Sequence, residues 1–254
     1  MIPVSVTILT CNSARHLAKV LAALQLFDEV VVLDSGSRDE TLAIAKTFPN
    51  VRIFETVFSG FGPMHNLATS HARRDWILSV DSDEVISPEL AAEIRSLTLD
   101  SGAVYSVSLK NYFHGKWIRH CGWYPDRHVR LYDRRRTRFT DARVHEQIIT
   151  TGLREIRLEQ PVHHYSFNSS ADFLTKMQRY SELFASENRG VKTSSLTKAI
   201  ARSGWSFLKH YVFQLGFLSG REGFIISVAN SQGVFYKYVK LMEANRRGPN
   251  EECS

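Results

Sequence analysis

The 254-residue sequence is poor in cysteine: Cys11, Cys121 and Cys253 stand at unrelated spacings, with no Cys-x-x-Cys pair. That excludes a disulfide framework and makes a reducing compartment the expectation. Long apolar runs are also missing. No uncharged stretch reaches the ~18–20 residues that span a bilayer. The opening Met1-Ile-Pro-Val-Ser-Val-Thr-Ile-Leu-Thr lacks the basic segment and cleavage site of a signal peptide. A cytoplasmic protein is therefore expected, with any membrane contact peripheral. Internal repeats and low-complexity segments are absent too.

What is present is ordinary core material, 43% hydrophobic and 11% aromatic residues. It is enough to fold one large domain, or a domain with a helical appendage, without a metal or disulfide staple. The net charge of +6 suits nucleic acid, anionic lipid or phosphorylated substrates and does not choose among them.

The first hundred residues alternate between two periods. Val4–Leu9, Glu29–Leu33, Val51–Glu55 and Trp76–Val80 read as buried strands. Between them, Leu17, Val20, Leu21, Leu24 and Phe27 recur at helical spacing, Ser37–Thr47 opens with a capping box, and a third helix begins near His65. This order predicts an α/β fold with a mostly parallel sheet. From Ser101 the pattern weakens to a strand at Ala103–Leu109, an aperiodic aromatic and basic stretch over Tyr112–Arg143, and short extended pieces near Ile148 and Ile156. Beyond Pro161 the chain reads as a helical extension, with a helix through Phe173–Phe184 ended by Gly190 and two or three more broken near Gly220–Gly223. The expected organisation is 1–100, 101–160 and 161–254.

Three polar motifs follow three of the strands: Thr10-Cys11-Asn12, Asp34 through Thr41, and Asp81-Ser82-Asp83. Ligands of open α/β sheets bind beyond the carboxyl ends of the strands, so these groups converge on one rim. Two carboxylates two residues apart can share a hard divalent cation that also holds a diphosphate. A helix start near Ser37 favours an anion.

These motifs, in this order and at these separations, resemble the nucleotide-binding half of the family 2 glycosyltransferases. The segments Gly60–Asn66, Gly122–Arg127, Arg130–Tyr132, Val144–Glu146, His164–Phe167 and Lys237–Glu243 are similar to those of bacterial lipopolysaccharide inner-core β-1,4-glucosyltransferases. The resemblance implies a type A, Rossmann-like fold and an inverting transfer of a hexose, glucose first, from a UDP-sugar to an inner-core heptose. It implies uridine contacts from Thr10, Asn12 and Asp34, a nucleotide contact from Asn66, a ribose or metal contact from Asp81, and Mg²⁺ or Mn²⁺ on Asp81 and Asp83. His65 stands where the family often has Lys or Arg, and Ser13 where an acid is common.

An inverting transfer needs a base for the acceptor hydroxyl, and Glu146 is the candidate, with Glu84 and Asp126 in reserve. His145 is a candidate contact to diphosphate or metal. Seven arginines and no lysine lie from Arg127 to Arg143. Their planar forks suit phosphate and carboxylate, so Arg127, Arg130, Arg134, Arg135 and Arg136 are expected to hold an acidic, lipid-linked acceptor, with Trp123 and Tyr124 against a sugar ring. The aromatic and basic helices from Trp205 to Tyr238 are expected to rest on a membrane, to pack, or to dimerise. A different glycan or a protein acceptor is the alternative within the class. A nucleic-acid module is the alternative outside it, although no RNA-binding motif is evident.

Overall fold

The computed structural model describes residues 1–167 and 169–246; Cys253 lies outside them. Two compact units form, one from residues 1–110 with 126–165, the other from 111–125 with 166 onward.

The first unit is built on a sheet. Strands β1 (Ile2–Thr10), β2 (Phe27–Asp34), β3 (Val51–Glu55) and β4 (Trp76–Ser79) run parallel, with β1 between β2 and β4. Alternation along β1 and β2 is weak because both sheet faces are covered: Val4, Val6 and Ile8 are buried, and so are Ser5 and Thr7. Val30 and Val32 of β2 join one core, and Val31 joins another with Ile77, Tyr132 and Phe139. Each such aliphatic side chain contributes about 1.5–3 kcal/mol by leaving water. Helix α1 (Ala14–Ala23) buries the expected stripe of Leu17, Val20 and Leu21. Helix α2 is shorter than its pattern suggested, Thr41–Lys46, and the expected Ser37 cap does not form. Asp39 takes that place, one carboxylate oxygen accepting from the Thr41 amide and the other from the Ala14 amide of α1. Helix α3 (Phe61–Ser70) starts four residues before the expected His65.

Past β4, a short strand β5 (Glu84–Ile86) leads to α4 (Pro88–Ser96), where the Ser87 hydroxyl accepts the Leu90 amide and proline occupies the first turn. Strand β6 (Ala103–Phe113) is longer than expected, and its last residues pair with β7 (Lys116–Trp117) inside the second unit. The larger difference is β8 (Asp126–Asp133), a strand within the stretch expected to be aperiodic. It lies antiparallel between β4 and β6. Strands β9 (Arg154–Arg157) and β10 (Val162–Phe167) complete the order β3-β2-β1-β4-β8-β6-β10-β5, with β9 beside β6.

The second unit is helical. Helix α5 (Ser170–Asn188) opens with a capping box between Ser169 and Asp172. Helix α6 (Leu196–Leu208) widens into a π turn at Lys209–Phe213, and a 3₁₀ turn at Gly216–Ser219 precedes the 26-residue α7 (Arg221–Arg246). Gly223 does not break α7. It lies inside the helix because a Cβ there would sit 1.9 Å from the Gly216 carbonyl oxygen. Phe113, Ile118, Cys121, Phe173 and Ile226 form this unit's core. Among the described residues no helix is long and apolar enough to cross a membrane.

Candidate active site

The three loops after β1, β2 and β4 meet through side-chain hydrogen bonds. Asp34 anchors the first two. Its Oδ1 accepts the Gly36 and Ser37 amides at 2.9 and 2.8 Å, and its Oδ2 accepts the hydroxyls of Thr10 and Ser37 at 2.8 and 2.5 Å. Burial would raise this carboxyl, but the bonds from Ser37, Thr10 and Gly36 outweigh it and hold Asp34 below the usual carboxylate range. Asn12, in the left-handed region at φ 52°, donates its amide to Ser37 Oγ at 2.8 Å and accepts the Arg38 amide on Oδ1 at 2.9 Å. Ser13 accepts the Ser82 hydroxyl at 2.9 Å, tying the third loop to the first.

This geometry revises two expectations. Asp34 has its carboxylate oxygens taken by three donors of its own loop and by the Thr10 hydroxyl of β1, and it is wholly buried, so here it ties the first two loops together from beneath. Asn66 is likewise engaged. Its side chain donates to the Phe139 carbonyl at 3.1 Å and accepts the Phe139 amide at 3.0 Å, clamping that segment's backbone instead of facing a nucleotide.

The carboxylates after β4 are organised by Arg130. The β4–β8 register pairs Leu78 with Leu131, which sets Arg130 at the carboxyl end of β4. Its Nη2 donates to Asp81 Oδ2 at 2.8 Å and to Glu84 Oε1, and its Nε has no hydrogen-bond partner among the described residues. Desolvation would raise the Asp81 carboxyl, yet Arg130, His65 and His164 hold it well below the ordinary range. Asp81 is thus an anion with its side chain 42% exposed, whereas the Glu84 side chain is 1% exposed. Burial and the Asp81 charge push Glu84 up against the pull of Arg130. A buried, paired Glu84 is a poor base for an incoming hydroxyl. Asp126, the other reserve candidate, lies at the start of β8 within 2.9 Å of His128 Nε2.

Pairing of β5 with β10 sets His164 opposite Glu84, and His164 Nε2 lies 3.5 Å from Asp83 Oδ1. Burial lowers the His164 pKa, but Asp83, Glu84 and Asp81 raise it further, so the net shift is upward. No role for His164 was evident beyond its place in the motif His164–Phe167, because its partner is some eighty residues earlier.

Glu146 reaches the same rim by an unexpected support. The segment 139–148 folds back on itself through a Phe139–Ile148 bridge, and its tip docks on the first turn of α3. The Phe61 and Gly62 amides donate to the carbonyls of Arg143 and Ala142, both at 3.1 Å. Those amides are the orphan donors of a helix start. Gly62 permits the approach: a Cβ there would lie 2.0 Å from the Thr140 carbonyl oxygen. His65, one turn on, stacks on Phe139 with ring centroids 4.2 Å apart. Its Nδ1 lies 3.4 Å from Ser79 Oγ at the end of β4, and its Nε2 lies 3.9 Å from Glu146 Oε1. Burial lowers the His65 pKa to about 4, so the imidazole is neutral at pH 7. The Glu146 carboxyl is raised, first by desolvation and further by the Asp81 charge. His145 adopts φ 62° beside it.

Gly62→Ala is therefore expected to displace the tip of this segment and lower turnover by ~10²-fold, as small misplacements of a reacting group do. UDP affinity should hold within a factor of two or three. Steady-state kinetics with calorimetric UDP binding checks this, and unchanged turnover in a folded variant would show that the docking does not position Glu146.

The arginine cluster is split. Arg130 is a buried counter-ion, not an acceptor handle. Trp76 pairs with Asp133 at the opposite end of β4, so three further residues of strand, about 10 Å, separate Arg130 from the turn that holds Arg134. There Arg134 binds the Thr69 and Ala72 carbonyls and Asp75, and Arg135 binds Asp133 and Asp75. Arg136 is exposed at the same turn. The expectation that these three hold an acceptor beside Glu146 is corrected: a strand passes between the two ends of the cluster. Arg127 is exposed, with one bond to the Leu158 carbonyl at 3.3 Å. Trp123 and Tyr124 belong to the second unit. Trp123 stacks with Phe167 in that unit's core, at a centroid distance of 5.4 Å, while Tyr124 is 38% exposed.

Four parallel strands that carry Asp34 and Asp81 at or just beyond their carboxyl ends, with Glu146 brought to His65 on α3, form the candidate site. The chain belongs to the family 2 glycosyltransferases, whose model, Glycosyl transferase family 2, matches residues 5–156, and it has that family's type A fold with a helical C-terminal part. An uncharacterised glycosyltransferase of Rickettsia typhi is 26% identical over 97% of this chain and 89% of its own length. The lipopolysaccharide core biosynthesis glycosyltransferase LpsC of Rhizobium meliloti is 23% identical over 95% of this chain and 93% of its own. Among solved structures, S. aureus TarS 1–349 in complex with UDP aligns at a TM-score of 0.48 and 18% identity, covering 96% of this chain and 89% of that one.

Proposed function

We propose that the protein is an inverting hexosyltransferase that uses a UDP-sugar, UDP-glucose first, and a divalent cation to glycosylate a heptose of a lipid-linked inner-core oligosaccharide at a membrane surface. The observation that carries this reading is the position of Glu146, 3.9 Å from His65 Nε2 and within reach of the Asp81 charge. Asn12 offers its side-chain NH2 at the uridine end, above the Asp34 anchor that holds the Thr10 and Ser37 hydroxyls. Asp81 and Asp83 would hold Mg²⁺ or Mn²⁺. Two carboxylates of hard oxygen fit such an ion, which keeps the rest of its sphere for substrate phosphate and water. Asp81 is already ionised and keeps Oδ1 free of Arg130. A cation held there would supply positive charge for the departing diphosphate. Arg130, buried with an unused Nε–H, adds fixed positive charge behind it.

Glu146 accepts the proton of the acceptor hydroxyl as that oxygen attacks the anomeric carbon from the face opposite the nucleotide. A raised pKa makes it a stronger base than an ordinary glutamate. The name of LpsC supports a glycan of the lipopolysaccharide core as acceptor. A donor screen tests the reading: UDP release from a panel of nucleotide sugars, with and without deacylated core oligosaccharide. UDP-glucose with the core acceptor is expected to exceed every other pairing at least ~10-fold, the discrimination a sugar hydroxyl contact supplies. Acceptor-independent release from all donors alike would overturn it.

A further inference from the structure

The second unit presents an apolar surface that the transfer reaction does not use. We propose that the turn between α6 and α7, residues 205–218, is a preformed wedge that inserts into the headgroup layer of an anionic bilayer. Its purpose rests on the lipid-linked acceptor proposed above; its existence rests on the surface itself.

Trp205, Val212, Phe213, Leu215, Phe217 and Leu218 are all exposed, Phe213 to 66% and Leu218 to 57%. Four of them fall within six consecutive residues, where a helix of ordinary amphipathicity would have turned half inward. Behind them Tyr211 lies edge-on to Phe217 and Phe224, with centroids 6.3 and 5.7 Å away, so the patch is continuous with the first turn of α7.

The backbone is built to keep these side chains out. Leu215 sits in the left-handed region at φ 56°, a conformation that costs free energy for a residue with a Cβ. The following Gly216 is buried where a Cβ would meet the His210 carbonyl oxygen at 2.7 Å and Cys121 Sγ at 2.9 Å. The Gln214 carbonyl accepts the Cys121 amide at 2.9 Å, and Lys116 Nζ donates to the Ser219 carbonyl at 2.8 Å. A glycine faces inward and leucines face water on either side of it. Large exposed apolar patches held in a rigid frame mark binding surfaces.

The surrounding charge selects the occupant. Lys209 within the turn and Arg221 at the start of α7 are exposed, and Glu222 beside Arg221 is paired with Lys116. An aromatic and aliphatic projection flanked by Lys209 and Arg221, with Glu222 neutralised by Lys116, complements anionic headgroups above an acyl layer. A symmetric contact with a second copy would bring the same cations toward one another.

Flotation of the full chain with phosphatidylcholine vesicles, with and without a quarter phosphatidylglycerol, tests this. Binding is expected to the anionic vesicles and to weaken as salt rises. Phe213→Ser with Leu218→Ser should reduce it ~10–100-fold or more, the loss expected when a large side chain no longer leaves water. Both residues are exposed, so melting temperature and UDP binding should stay at the parent's values, as should turnover of a delipidated acceptor. Failure to float at low salt, or a double variant that floats like the parent, overturns the wedge. So does a parent dimer that the double variant converts to monomer with flotation unchanged. Vesicle binding that survives while no donor is turned over would instead sink the proposed acceptor and leave the wedge standing.

Discussion

Glu146→Gln is expected to lower kcat by ~10²–10⁴-fold, the usual consequence of losing a general base, with UDP affinity nearly unchanged. The amide keeps the size and one acceptor oxygen, so the contact toward His65 and the fold of the 139–148 segment should survive. The pH dependence gives a second readout. The carboxyl is raised above its ordinary value near 4.5 by desolvation and the Asp81 charge. Activity should therefore be full above this raised pKa and fall as pH drops through it, with the acid limb of kcat at higher pH than an unperturbed glutamate would set. In Glu146→Gln that limb should vanish along with the activity. A variant retaining parental kcat and its acid limb would move the base elsewhere, with Asp126 as the remaining candidate because Glu84 is buried under Arg130.

Removing the cation should be as damaging. UDP affinity measured with Mg²⁺ or Mn²⁺ is expected to collapse on chelation, since Asp81 and Asp83 would then face the diphosphate as like charges. Asp83→Asn should erase the metal-dependent part of that affinity. Its effect should exceed the ~10–100-fold that loss of a supporting partner causes, which is the range expected for His164→Gln acting on Asp83. Calorimetric titrations with each ion and with chelator separate the two variants. Equal affinity for UDP with and without metal in the parent would remove the cation from the reading.

Much of this architecture is legible in one dimension. Strands β1 to β4 announce themselves as β-branched runs because both faces of a parallel sheet are covered. Once they are parallel, their following loops must share a rim. Thr10, Asp34 and Asp81 are neighbours by that rule alone, and the hydrogen bonds from Thr10 to Asp34 and from Ser82 to Ser13 carry it out. Wherever a residue's role depended only on the end of its own strand, its position along the chain was sufficient.

Other assignments turned on partners that the local sequence does not name. Strand β8 hides in a basic, aromatic stretch because its neighbours β4 and β6, and not its own periodicity, hold it extended. Its register then decides that Arg130 neutralises Asp81 and Glu84 while Arg134 and Arg135 serve Asp75 and Asp133 at the other end. Arginines adjacent in sequence separate at about 3.3 Å per residue along a strand, so a cluster in the chain need not be one in space. Asn66 reads as a polar group on a motif helix, but only the approach of Phe139 shows that both ends of its amide are spent on backbone. The approach of Glu146 to His65 is likewise tertiary, resting on Gly62 yielding its side-chain volume to the Thr140 carbonyl. Local composition sets which segments form strands and which rim they end on. The contacts between segments tens of residues apart, with the burial and charge they create, decide which ionisable groups are structural and which face the reaction.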